Sequence, residues 1–356
     1  MSDLVSAWAE QIRGAAASGT PLCIEGGGTK RFLGREAQGE VLNVAAHAGV
    51  VSYEPTELVV TARGGTPLAE LEAVLAEQNQ FLAFEPPHFG TGATVAGCVA
   101  AGLSGPRRAS AGAVRDFMLG VKIVDGRGEV MSFGGQVMKN VAGYDVSRLI
   151  AGSLGTLGII LEVSLKVLPR PVAEQTLRFQ LSESEAIDRF NEWGGQPLPV
   201  SASAWADGVL TLRLSGAEAA VSAACSRLGG DALDEQAAPM FWQSLREQQG
   251  DFFADSADMP LWRLSVPSVA EPLQLAGRQL IEWGGAQRWL ISNAPADEIR
   301  ARAAALGGHA SLFRGGDRSS DVFTLLAAPL LTIHRRLKAA FDPAGILNPG
   351  RLYQGI

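Results

Sequence analysis

The feature that most constrains this chain is a run of three glycines at the end of a short apolar segment. Pro21-Leu22-Cys23-Ile24 reads as a buried strand, and it runs directly into Glu25-Gly26-Gly27-Gly28-Thr29-Lys30. Glycine has no side chain to hold the backbone off a ligand, and it adopts backbone angles closed to other residues. Successive N–H groups in such a loop can converge into an anion-binding concavity. The run therefore points to a phosphate or pyrophosphate cradle, with a plain surface turn as the alternative.

Two further glycine-rich stretches shift that balance. Gly90-Thr91-Gly92-Ala93-Thr94-Val95-Ala96-Gly97 leads into small residues through Ala100, Ala101 and Gly102. Residues 94–103 suit a short, tightly packed helix with its N-terminus toward an anion. A dinucleotide fingerprint of the Rossmann kind is disfavoured: Val95 stands where the third glycine belongs, and no acidic ribose partner closes a second strand. The third stretch, Gly152 to Gly158, precedes the strand Ile159 to Leu168. The order helix, glycine loop, strand is the reverse of that fingerprint.

The 42 glycines cluster in such loops, and a chain of 356 residues with 47% hydrophobic content has room for two domains and a large core. A net charge of −7 argues against nucleic acid. Cys23, Cys98 and Cys225 lie far apart, so iron–sulfur and structural zinc sites are not expected, and no metal is. No signal core opens the chain and no apolar run spans a bilayer. The expectation is a cytoplasmic protein without direct membrane insertion, association through partner subunits being left open.

Along the chain, residues 2–18 read as an amphipathic helix with Leu4, Val5, Trp8 and Ile12 on one face. Strands are expected at 41–44, 58–61 and 81–84. Thr66-Pro67 reads as the cap and first turn of a helix carrying Leu68, Leu71, Val74 and Leu75. Residues 118–133 read as a hairpin, and 140–151 as a loop and short helix. Pro169 and Pro171 mark a boundary. Beyond it, Ser182 to Glu185 reads as a capping box opening a helix to Trp193. Strands at 200–206, 208–214, 261–266 and 287–292 alternate with helices at 217–228, 239–248 and 272–283. Glu192-Trp193-Gly194-Gly195 and Glu282-Trp283-Gly284-Gly285 each read as a helix end, suggesting a duplicated helix–strand unit over an antiparallel sheet. A basic helix at 330–340 precedes a tail stiffened by Pro343 and Pro349.

Taken in order, the first loop, Thr94 to Gly97, Arg115-Asp116, Lys139 to Asp145, Gly152 to Ile160 and Phe341 to Gly350 resemble the PCMH-type, or vanillyl-alcohol-oxidase-type, FAD-binding family. The resemblance implies an α+β protein: a PCMH-type fold of two α/β subdomains at 1–171, an α+β antiparallel-sheet cap at 172–327, and a C-terminal helix and tail at 328–356 returning to the FAD domain. It implies FAD contacts from Gly26, Gly27, Gly28, Thr29 and Lys30 at the pyrophosphate, from Gly92, Thr94, Val95, Gly97 and Cys98 over it, from Gly155, Gly158 and Ile159 along adenine and ribose, and from Asn348 near the ring. Members that attach FAD covalently use a histidine where this chain has Thr29, so non-covalent FAD is expected, with His88 as the one alternative attachment point.

The resemblance further implies an FAD-binding subunit that works with a catalytic FAD subunit and an iron–sulfur subunit, the complex oxidising glycolate to glyoxylate. Relatives that oxidise 2-hydroxy acids carry a clustered motif H-x-x-G-D-G-N-x-H. This chain has only the scattered His47, His88, His309 and His334. Electron relay or support of assembly is therefore the leading expectation. The alternatives are a self-sufficient FAD-dependent dehydrogenase of a small 2-hydroxy acid or alcohol, and a non-catalytic assembly subunit. Arg107, Arg108, Arg314, Arg318 and Arg351 are candidate carboxylate clamps and Tyr144 a candidate ring contact; no catalytic residue is assigned.

Overall fold

The structure is a computed structural model that describes residues 3–135 and 145–356. It opens with helix α1 (Asp3–Ser18), which buries Val5, Trp8, Ala9, Ile12 and Ala15 along one face. Leu4, expected on that face, sits in the first turn and remains 42% exposed. α1 covers a parallel pair, β1 (Leu22–Glu25) and β2 (Glu40–Asn43). A five-stranded antiparallel sheet follows, built from β3 (Val50–Glu54), β4 (Val59–Arg63), β6 (Met118–Val124), β7 (Val130–Gly134) and β8 (Ile159–Lys166) in the order β3-β4-β8-β6-β7. Between β4 and β6 lie α2 (Leu68–Ala76), the short strand β5 (Gln80–Phe81), α3 (Val95–Ala101) and two single turns, α4 (Arg108–Ala111) and α5 (Val114–Phe117). The turn α6 (Val146–Leu149) precedes β8, and β9 (Leu168–Pro169) pairs with β5.

Two local expectations change here. Thr66 does not cap α2. Its hydroxyl donates to Arg63 O (2.7 Å) and accepts from Gly49 N (2.9 Å), and Pro67 takes the cap position. The strand expected at 81–84 stops at Phe81, because Phe84 turns into the core beside Phe117. The stretch 139–144, including Tyr144, lies outside the described residues.

The second large sheet has eight strands: β10 (Ala173–Gln180), β11 (Val200–Ala206), β12 (Val209–Gly216), β13 (Asp231–Ala232), β14 (Leu261–Ser265), β15 (Arg278–Glu282), β16 (Gln287–Ile291) and β17 (His309–Arg314). Its order is β13-β10-β12-β11-β15-β16-β14-β17. Each half runs fourth, first, third, second strand from its outer edge, and the two second strands, β11 and β15, pair antiparallel at the centre. The duplication is thus real at the level of strand order. In the first half α7 (Glu183–Gly194) and α8 (Glu218–Leu228) complete the unit, and the capping box of Ser182 and Glu185 forms as expected. In the second half α11 (Ala296–Ala305) is the one α-helix among the described residues, with a single 3-10 turn at Trp283–Gly285. The helix expected at 272–283 is instead irregular chain followed by β15. Leu280, Ile281 and Glu282 are all buried, which suits a strand covered on both faces and not one stripe of a helix. The second Glu-Trp-Gly-Gly motif therefore ends a strand. α9 (Ala237–Glu247) and α10 (Asp251–Ala254) link the halves.

Helix α12 (Ala328–Phe341) carries the chain back to the first sheet. The Lys338 ammonium is buried and donates to Asp342 Oδ2 (2.6 Å), Leu347 O (2.6 Å) and Thr156 O (2.8 Å). Leu22 N then donates to Ile346 O (2.7 Å) and Asn348 N to Leu22 O (2.9 Å), so the tail joins β1 through a single parallel bridge at Leu22 and Leu347.

Candidate functional site

β1 ends where the three glycines begin, and the loop they form is one wall of a cleft of about 490 Å³. Among the described residues, the backbone N–H groups of Gly26, Gly27, Gly28 and Thr29 have no hydrogen-bond partner. Four unpaired donors in a row on a cleft wall are unusual for a folded chain and form an anion-seeking surface. Gly27 is required for a second reason: a Cβ there would stand 1.4 Å from Gly92 O, so the first and second loops touch main chain to main chain. Gly28 takes φ +71°, the left-handed region. Lys30 donates to His88 O (3.1 Å) and lies 5.6 Å from the centre of the Phe89 ring; burial lowers its pKa.

The opposite wall is α3, whose Ala96, Gly97 and Ala100 bring nothing bulkier than a methyl group to the cleft. The expectation that its N-terminus offers free amides is not met. Val95 N donates to Thr66 O (3.0 Å), Ala96 N to Gly64 O (2.8 Å) and Gly97 N to Thr94 Oγ1 (3.2 Å). The first loop supplies donors, and the second supplies closeness.

Of the residues singled out in the sequence, Gly26, Gly27, Gly28, Thr29 and Lys30 line the cleft, as do Thr94, Gly97, Gly155, Gly158 and Asn348. Asn348 knits three segments, accepting from Ile24 N (2.6 Å) and donating to Leu154 O (2.6 Å). Gly92 stands behind Gly27. Val95, Cys98 and Ile159 are buried in the cores on either side, and burial pushes the Cys98 thiol up to about 12. Sequence reasoning did not name Ala96 or Ile160 on the cleft wall, although the small-residue run from Ala96 to Gly102 was the available signal.

Of the candidate carboxylate clamps, Arg318 and Arg351 also line the cleft while donating to backbone carbonyl groups, and the other three are engaged in ion pairs or ring contacts. Arg351 donates to Arg31 O (2.9 Å) and Arg35 O, and Arg318 to Gly34 O (2.9 Å) and Arg31 O (2.8 Å). Together they brace residues 31–35 at the rim. Arg107 pairs with Glu85 (3.2 Å) and Glu174 (2.8 Å), Arg108 lies over Trp283 (4.3 Å), and Arg314 over Phe32 (4.4 Å). The histidines are dispersed: His47 packs edge-on to Trp8, His334 edge-on to Tyr353, and His309 opens β17.

Where the cap sheet meets the second loop lies a much smaller pocket, about 20 Å³. Glu282 Oε2 accepts from Trp289 Nε1 (2.5 Å) and Gln287 Nε2 (2.9 Å), and Arg263 Nε donates to Gln287 Oε1 (2.7 Å). Burial, opposed by those two hydrogen bonds and by Arg263, raises the Glu282 carboxyl to about 7. Phe89, Phe313, Trp289 and Phe253 fill the adjoining space edge to face. Room of this size suits about one water molecule, which needs about 10–15 Å³.

Unpaired main-chain donors on one wall of the cleft, with the tail and a third loop also lining it, fit a nucleotide cofactor. Family comparison agrees. Residues 5–134 match the FAD binding domain and residues 295–352 the FAD linked oxidases, C-terminal domain. The chain is 50% identical over 351 residues to glycolate oxidase subunit GlcE of Escherichia coli, covering 99% of this chain and 98% of that one. It is 33% identical over 161 residues to glycolate oxidase subunit GlcD of Bacillus subtilis, 45% of this chain and 32% of the other. The fold matches 4-ethylphenol oxidase from Gulosibacter chungangensis with a TM-score of 0.70, 14% identity, and coverage of 98% and 88%. The chain belongs to the FAD-linked oxidase family, and its cofactor is FAD.

The site fits that cofactor. Its volume falls within the range of about 300–1,000 Å³ common to small-molecule sites, and unpaired amides would suit the charge of a pyrophosphate. Among the described residues no helix is long and apolar enough to cross a membrane.

Proposed function

We propose that this chain is the FAD-binding subunit of a glycolate-oxidising complex, holding its flavin non-covalently and relaying electrons or supporting assembly beside a catalytic FAD subunit and an iron–sulfur subunit. The observation that carries this reading is the end-to-end match to a glycolate oxidase subunit, over 99% of this chain. In this reading residues 1–171 form the FAD domain, 172–327 the cap, and 328–356 the tail that closes the cleft. Bound FAD supplies a two-electron centre that can return electrons singly. The amides of residues 26–29 take the pyrophosphate charge, Lys30 adds a cation at the junction of the two loops, and the Asn348 bridge fixes the third loop against β1. Thr29 offers no imidazole for a covalent bond.

Two features support relay over turnover: the histidines are scattered, and the cap-side pocket has the volume of a water molecule. The test is anaerobic mixing of the purified, FAD-loaded chain with glycolate. The visible flavin band is expected to persist, and acid denaturation to release yellow flavin into the supernatant. Rapid bleaching of the isolated chain by glycolate would make it a self-sufficient dehydrogenase and overturn the relay role.

A further inference from the structure

The second glycine loop does not hold its own position. The segment that delivers it, Glu85-Pro86-Pro87-His88-Phe89, contains two non-glycine residues in the left-handed region, Glu85 at φ 47° and Phe89 at φ 55°. Such backbone persists only where surrounding groups over-determine it. Side-chain clasps reach it from both sides: outside the cap, Lys30 Nζ donates to His88 O (3.1 Å) and His88 Nε2 lies 3.0 Å from Glu72 Oε2, and the cap adds two more. At one end, Arg213 of β12 donates Nη2 to Glu85 Oε1 (2.8 Å), with the guanidinium over Trp242 at 4.9 Å. Arg107 grips the same carboxylate through Nε (3.2 Å) and its own backbone N (2.8 Å), and reaches Glu174 of β10 (2.8 Å). At the other end, Glu247, the last residue of α9, accepts from His88 N (3.1 Å) and Phe89 N (2.8 Å). Its side chain is 8% exposed, and its second oxygen is held by Arg246 Nε (2.8 Å). The Phe89 ring then packs on Phe32, just beyond the first loop, and on Phe313 of β17.

We infer that Glu247 and Arg213 are positioning residues for FAD: the cap sets the backbone of 85–92 so that Gly92 stays seated on Gly27, and flavin affinity is thereby coupled to cap docking. The inference rests on the reading that FAD lies between the two loops. Backbone N–H groups bonded to a buried carboxylate are strong, directional tethers. Without them the loop samples alternative positions, and the apparent Kd rises as the fraction of correctly placed loop falls.

The experiment uses the full chain stripped of FAD. Glu247→Ala, Glu247→Gln and the control Ser268→Ala are compared; the control removes a part-buried hydrogen bond to Asn191 (2.9 Å) that shares no partner with residues 85–92, Arg213 or Glu247. FAD dissociation constant, FAD release rate and melting temperature of the apo chain are measured for each. If the loop is correctly placed about a tenth of the time, Glu247→Ala raises Kd about tenfold, mainly through faster release. Glu247→Gln, which keeps one acceptor oxygen, falls between it and wild type and serves if the alanine variant does not fold. Ser268→Ala is expected to lower the melting temperature with Kd unchanged. A Kd for Glu247→Gln within experimental error of wild type overturns the inference while leaving FAD binding intact. A wild-type chain that takes up no FAD overturns both this inference and the cofactor reading beneath it.

Discussion

The glycine cleft and the cap-side pocket are built on opposite principles. The cleft, about 490 Å³, has one wall of glycine loop with unpaired donors and another of small helix residues, with Lys30, Arg318 and Arg351 also lining it. The pocket, about 20 Å³, is walled by Trp289, Phe313, Phe89, Arg263 and Glu282, with the Glu282 carboxylate and Gln287 already hydrogen-bonded to neighbours. One site is open and chemically hungry; the other is filled and self-satisfied. With FAD in the cleft as proposed, holding a flavin and admitting a substrate become separable: the donors for the first come from one loop sequence, with the cap helping to seat the neighbouring loop, and room for the second depends on what the eight-stranded sheet projects.

The sharpest way to break the contrast is to spoil the cleft. Gly27→Ala places a methyl group where Gly92 O stands, so the two loops must part; loss of FAD binding is expected in a titration followed by flavin fluorescence. Uptake at wild-type affinity would show that the loops need not touch. Spoiling the pocket should act on stability instead. Trp289→Ala empties a buried indole and is expected to cost about 3–5 kcal/mol, read by urea denaturation of the apo chain, with a smaller loss of FAD affinity than Gly27→Ala. A glycolate-dependent flavin signal in this variant would show that volume alone had excluded substrate.

A smaller effect separates the sites by pH. The Glu282 carboxyl is raised to about 7 by burial, so the fold favours its protonated form. That stabilisation is complete below the unfolded value near 4.5 and is lost as pH rises through 7. Glu282→Gln is neutral throughout and keeps an acceptor for Trp289. Its stability relative to wild type should therefore climb between pH 4.5 and 8, by up to about 3 kcal/mol, as seen in melting temperatures across that range. A pH-independent difference would mean that Glu282 titrates normally.

How far the sequence spoke depended on whether the information was local. The face of α1, the 118–133 hairpin with its Asp125-Gly126 turn, and the Ser182 capping box are each encoded within a few residues, and each forms. The first glycine loop was legible for the same reason. The 272–283 segment was not, because its apolar pattern suits either period and pairing with β11 and β16 from both sides decides for a strand. Arg318 and Arg351 read as anion clamps by residue type; only the return of the chain past residues 31–35 shows that they line the cleft while also donating to carbonyl groups at its rim. The amides of α3 read as free for the same lack of tertiary context, since Thr66 and Gly64 arrive from another part of the chain.

The least severe change tests whether the cleft's openness is a matter of backbone angle as well as space. At Gly28 a Cβ would meet only Glu25 Oε1, 2.7 Å away, the movable end of a side chain paired with Arg31. Crowding can be relieved by rotation of Glu25, so the main cost of Gly28→Ala is the left-handed φ of +71°, about 1–2 kcal/mol. If FAD binding demands that angle, the cost appears as a roughly tenfold weaker Kd with little change in apo melting temperature, since the unliganded loop can relax. If the angle is set by the fold regardless of ligand, the same cost appears in the melting temperature and Kd stays put. Measuring both on one variant therefore shows whether the first loop is preformed for its anion or shaped by it, which the Gly27 variant, by forcing the loops apart in either case, cannot do.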